Sequence, residues 1–158
     1  MRIILAPFLL PLLIRCTAPE PTAPIDRLEM RRSGWSAVDI ELNSRGEGRY
    51  RLSQPDPEGR DGEFSITPRQ FTTLLERLAV YRRQAVPMSE QSARQFIETS
   101  CPPGTPFVTD AGAIWIRWIG QNSDEHYLAD LGCGRDAHAR RNEELIGIIH
   151  SLPLPLTD

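Results

Sequence analysis

Two cysteines, Cys101 and Cys133, stand 32 positions apart in the part of the chain that patterns as a folded domain. A covalent bridge between them would dictate which segments meet, a harder constraint than any propensity, and whether they bridge depends on compartment. The N-terminus bears on that question. Residues 1–18 read MRIILAPFLLPLLIRCTA: one arginine, an apolar run from Ile3 to Ile14, then small residues. This is the layout of a secretory signal peptide, with an apolar run too short and too broken by Pro7 and Pro11 to span a bilayer as a helix. Cys16-Thr17-Ala18 puts small residues where cleavage after Ala18 needs them, and residues 19–24 (PEPTAP) form a proline-rich tether.

A second reading keeps Cys16 as the acylated first residue of a membrane-tethered lipoprotein. Leu13-Ile14-Arg15-Cys16 resembles that processing box in part, although Arg15 is large and charged where the box takes a small residue. Either route leads to an oxidising compartment, periplasmic or secreted, and there a cysteine pair reads first as a disulfide. Closing a loop of about 33 residues stabilises by about 3.5–4 kcal/mol in the chain-entropy model. Two buried free thiols are one alternative. A cysteine nucleophile is another, with His126, His138 or His150 as its base, but no hydrolase signature surrounds either cysteine.

Composition narrows the class. Charged residues make up 25% and the hydrophobic set 40%, which fits neither a disordered chain nor an integral membrane protein. All 18 basic residues are arginines; removing residues 1–18 deletes Arg2 and Arg15 and no acid, taking the net charge from -3 to -5. A mildly acidic domain lacks the basic face that nucleic acid requires.

The remainder reads as one α+β domain over residues 25–156. Leu28 and Met30, then Val38, Ile40 and Leu42, then Tyr50 and Leu52 each alternate with polar residues, the period of half-buried strands. The loop 43–48 makes the last two a hairpin, and a Pro/Asp/Gly stretch over 54–62 leads to a short strand near 63–66. Thr67-Pro68-Arg69-Gln70 is a capping box opening a helix that carries Phe71, Leu74, Leu75, Leu78 and Tyr81. A shorter helix starts near Ser89, after Pro87, with Phe96 and Ile97 as its contacts. Residues 113–119 and 126–131 suit a hairpin across the loop 120–125, pairing Trp118 with Tyr127, Ile116 with Ala129 and Ile114 with Leu131. A closing helix spans about 137–152, with Asp136 as N-cap. The expected architecture is an antiparallel β-sheet built from hairpins, with two or three helices packed on it.

Chemistry-bearing patterns are sparse. Asp124-Glu125-His126 and Asp136-Ala137-His138 lack metal-ligand spacing, and the glycines sit singly at turns, so no cofactor or metal is expected. Asp124 and Glu125 read as a solvated loop, Arg117 and Asp130 as a diagonal ion pair, Arg49 and Arg51 as a solvated face. The long loop 100–112, SCPPGTPFVTDAG, stands out. Its Phe107 and Val108 have two readings: they plug the edge of the core, the plainer one, or they join Trp115, Ile119 and Leu128 in a partner-binding surface.

The strand in Gly46-Glu47-Gly48-Arg49-Tyr50, then Gly62-Glu63-Phe64-Ser65-Ile66-Thr67-Pro68, then Phe71 with Leu74-Leu75, behind an export segment, resembles small exported bacterial envelope domains of unknown function. The resemblance covers residues 26–83 and, loosely, the closing hairpin and helix. It implies an envelope protein and carries no catalytic residues. The leading expectation is therefore a non-enzymatic exported domain that binds a protein or envelope component, with no nucleic acid and no membrane contact beyond an N-terminal lipid. The rival is a small periplasmic enzyme with a polar site around His126 and Asp130. No sequence feature specifies an oligomeric state.

Overall fold

The structure is a computed structural model, and it describes residues 23–53 and 59–156. The signal segment, Cys16, most of the tether and part of the 54–62 stretch lie outside the described residues.

Alternation of apolar and charged residues builds the first half. Strands β1 (Arg27–Arg32), β2 (Val38–Asn43), β3 (Glu47–Leu52) and β4 (Arg60–Ser65) form an antiparallel meander. β4 begins at Arg60, earlier than its hydrophobic pattern suggests, because Gly62 interrupts the alternation while keeping its place opposite Tyr50. Thr67 caps helix α1 (Pro68–Arg82) with the capping box intact. The chain then adds a two-residue strand β5 (Val86–Pro87), helix α2 (Glu90–Ser100), strands β6 (Ala113–Gly120) and β7 (Ser123–Asp130), and helix α3 (Ala139–His150). The sheet order is β4-β3-β2-β1-β6-β7-β5, and every pairing is antiparallel.

One face of this sheet is apolar. Leu28, Met30, Val38, Ile40, Leu42, Ile114, Ile116 and Trp118 are buried beneath Phe71, Leu74, Leu78 and Tyr81 of α1 and Leu145, Ile148 and Ile149 of α3. The other face carries charge. Across it Glu63, Arg49 and Glu41 are successive register neighbours, as are Asp61, Arg51, Asp39 and Arg31. Helix α2 covers neither face fully. It runs along β7, where Phe96 meets His126 at 5.5 Å and Tyr127 at 5.7 Å. The Ile97 side chain lies outside the described residues.

The β6–β7 hairpin differs from the expected one. Its turn is only Gln121-Asn122, and the register slides by two residues: Trp118 opposes Glu125, Ile116 opposes Tyr127 and Ile114 opposes Ala129. A slide of two leaves every side chain on its own face, so the apolar set survives. Asp124 and Glu125 are strand residues because each has a cation waiting: Asp124 accepts two bonds from Arg117 at 2.7 Å, and Glu125 accepts from Arg82 of α1 at 2.9 Å. Arg117 therefore pairs with Asp124 and Glu29 rather than Asp130. The closing helix also starts later than expected. Asp136 sits in the preceding turn, and His138 occupies the N-cap without a side-chain bond.

Candidate functional site

The end of the sheet where β1 stops and β6 starts gathers three loops, and backbone contacts stitch them together. Ser33 N donates to Ala113 O (2.9 Å), and Leu131 N donates to Gly112 O (3.0 Å). Gly112 has φ +77°, and a Cβ there would lie 2.1 Å from Ser33 O, so only glycine allows the approach. Beyond β7, Val108 N donates to Gly132 O (3.0 Å), Gly134 N donates to Pro106 O (2.8 Å), and Phe107 bridges to Cys133. Cys133 and Cys101 sit at disulfide distance, with Cα atoms 5.5 Å apart. The Asp130 carboxylate accepts from Gly132 N (2.8 Å) and Cys133 N (3.1 Å), holding the turn. Arg141 and Asn142 of α3 donate to the Asp130 and Leu131 carbonyls.

Three large apolar side chains project from this scaffold. Trp35 is 82% exposed, Phe107 57% and Val108 43%. They share a shallow concavity of about 570 Å³ with Asp110, Ala111, Ala113 and Asp130. Phe107 and Val108 thus do not plug the core edge; the backbone pairing with residues 132–134 turns them outward. Trp35 was not distinguishable in the sequence, since a tryptophan in a Ser-Gly-Trp-Ser turn belongs to no periodic set. Its one signal is that a large aromatic occupies a tight turn.

The other surface residues expected from the sequence separate. Trp115 and Leu128 are opposite one another in the next register row, on the charged face and half-buried. The Trp115 ring lies under the Arg31 guanidinium at 5.8 Å. Ile119 sits at the far end of β6, with Arg117 between it and Trp115.

His126 and Asp130 do not converge. They are four residues apart on β7, about 13 Å at strand rise. His126 is 1% exposed and enclosed by Phe96 and Trp115. Trp115 Nε1 donates to its Nδ1 at 3.1 Å, which assigns the proton of the neutral ring to Nε2, facing Ser92 Oγ at 3.2 Å. Ser92 in turn donates to Pro87 O at 2.7 Å. Burial pushes the imidazole below its ordinary pKa, with Asp124 opposing the shift and Arg117 adding to it. Among the described residues, no three of His, Cys, Asp and Glu converge as a metal site, and no helix is long and apolar enough to cross a membrane.

Fold and surface together define an α+β domain with an antiparallel sheet covered by helices on one face and an exposed apolar patch of Trp35, Phe107 and Val108 at one pole. No family model matches the chain, and no curated protein matches it.

Proposed function

We propose that this chain is an exported bacterial envelope domain, periplasmic or membrane-tethered through its N-terminus, that works by binding a protein or envelope component at the Trp35, Phe107 and Val108 patch. The observation that carries the reading is the gathering of three exposed large apolar side chains on loops held rigid by backbone bonds and the Cys101–Cys133 link. Exposed apolar side chains gathered in one place mark interaction sites, and tryptophan leads among binding hot spots. Rigidity reduces the entropy lost on binding.

The position of the patch supports the same reading. The chain enters the domain at Ala23, whose carbonyl accepts from Arg82, and Asp26 N donates to Ile119 O. Strand β6 then runs eight residues, about 25 Å, to the patch at Ala113. A tether at one pole leaves the patch facing away from the membrane. His126 and Asp130, on which an enzymatic alternative rests, spend the polar atoms described above on internal bonds.

The test is site-specific photocrosslinking in the intact cell envelope, with probes at positions 35 and 107 and controls at Val80 and Arg77 on α1. Adducts of one discrete mass at 35 and 107 only are expected; equal labelling at all four positions, or none, overturns the proposal. Intact mass of the exported protein tests the compartment: a chain starting at Pro19 means a soluble domain, an acylated chain starting at Cys16 a lipoprotein, and an uncleaved chain refutes export.

A further inference from the structure

The two edges of the sheet are not equivalent. β7 is followed outward by β5 and flanked by α2, whereas nothing among the described residues pairs with the outer side of β4. Ile66 N donates to Gly46 O (2.9 Å), and antiparallel pairs alternate between bonded and non-bonded. Even-numbered residues of β4 therefore turn their backbone groups toward β3. Asp61, Glu63 and Ser65 turn theirs outward.

We propose that this edge docks an extended polypeptide segment with basic residues at alternate positions and apolar residues between them. The charged face specifies the basic positions. Outward from β2, Glu41, Arg49 and Glu63 alternate in sign, although Glu29 of β1 opposes Glu41 behind them; Arg31, Asp39, Arg51 and Asp61 alternate from β1, and both rows stop on an acid. Asp61 reaches Arg51 only at 3.8 Å with both side chains exposed, and Glu63 forms no ion pair among the described residues. The next strand outward is where the missing cations belong. The other face specifies the intervening residues. There Gly62 and Phe64 lie at the edge beside Tyr50, whose ring is 6.5 Å from that of Phe64, an apolar border for an aliphatic side chain. Arg60, at the strand's first position opposite Leu52, lies on this second face and leaves the acidic pair uninterrupted.

The same charges disfavour a second copy of this chain. Pairing β4 with itself while preserving the faces sets Asp61 against Glu63 of the copy, or Glu63 against Glu63, and like charges directly opposite are unfavourable. The sheet's own Glu29–Glu41 pair is offset by Arg27 and Arg117 on Glu29, and no such cation is bonded to Glu63 among the described residues. The edge thus repels itself and selects a basic strand, as in recognition by strand addition. This surface is separate from the aromatic patch.

The experiment uses the processed full-length protein and a heptapeptide of alternating arginine and valine, compared by fluorescence anisotropy with an isomer carrying its arginines in one block. The alternating peptide is expected to bind at least about tenfold tighter and to slow amide exchange at Asp61, Glu63 and Ser65. Ser65→Pro removes one outward N–H without touching the β3 ladder or either carboxylate, and it is expected to weaken binding about tenfold, as is Asp61→Asn with Glu63→Gln. Trp35→Ala with Phe107→Ala is expected to leave this binding unchanged, so failure of the patch reading and failure of this one are distinguishable. Equal binding of the blocked isomer, unchanged exchange at the three amides, binding insensitive to Ser65→Pro, or dimerisation through β4 each overturns the proposal.

Discussion

At the scale of single residues, polar atoms and glycines do most of the specifying. His126 is a buried polar side chain with a committed geometry: its Nδ1 accepts from Trp115 Nε1, so only the neutral ring fits. Its pKa is lowered by burial, while in the unfolded chain a histidine titrates near about 6.5. Just below that pH the unfolded state binds the proton and the folded state does not, so stability rises with pH in this window. The contribution is full above about pH 6.5 and is lost as pH falls toward the folded value. Asp124, held low first by its hydrogen bond from Arg117, loses its contribution only below the ordinary carboxylate range, about pH 4. Urea midpoints between pH 7 and pH 5 therefore stay above the carboxylate window, and the His126 variant separates its share. The native protein should lose stability across that interval and His126→Gln should flatten the loss; an unchanged slope would show that His126 is not its source. Gly46 makes a second prediction. With φ +87° and an added Cβ 1.9 Å from Ile66 O, neither the conformation nor the space admits alanine. Gly46→Ala should cost more than about 1 kcal/mol in thermal unfolding, beyond the left-handed penalty alone.

At the scale of elements, local signals decided what could be read from sequence. The α1 start was legible because the whole capping box lies within four residues, and the first three strands because their alternation is clean. The β6–β7 register was not, because Asp124 and Glu125 look solvated until Arg117 and Arg82 are brought to them from a neighbouring strand and a distant helix. Gly48 and Gly62 hid a similar long-range device. Gly48 opposes Phe64 and Gly62 opposes Tyr50, and a Cβ at either would lie 2.4 Å from the partner's ring. Each glycine is shielded by an aromatic across the strand pair, which compensates for a residue that otherwise weakens strands. Among the described residues, helix α2 is attached through Phe96, the Ser92–His126 contact and the Cys101–Cys133 link at its C-terminal end. Reduction should therefore lower global stability by about 3.5–4 kcal/mol. Before unfolding, it should speed amide exchange in α2 and residues 101–112 while β1 to β4 stay protected. Exchange that rises evenly across the sheet would refute this order of release.

At the scale of the whole molecule, stability and recognition occupy different places. The apolar face, α1 and α3 form one continuous core, whereas Trp35, Phe107 and Val108 lie outside it. Their scaffold is backbone: bonds among residues 33, 106–113 and 131–134 would survive loss of the side chains. Trp35→Ala and Phe107→Ala should therefore each change unfolding stability by no more than about 0.5 kcal/mol, the range of surface substitutions remote from cores and caps. Trp118→Ala, which empties a fully buried site in the same sheet, should cost about 3–5 kcal/mol. The contrast also has an optical form. Trp35 is in water and Trp118 is not, so Trp35→Ala should remove the red-shifted part of the tryptophan emission and leave a narrower, bluer band. If Trp35→Ala instead destabilises the fold by several kcal/mol, the indole is part of the structure, and the argument that the patch exists for a partner fails with it. If stability holds while crosslinking at position 107 disappears, the exposed indole acts in recognition rather than in folding.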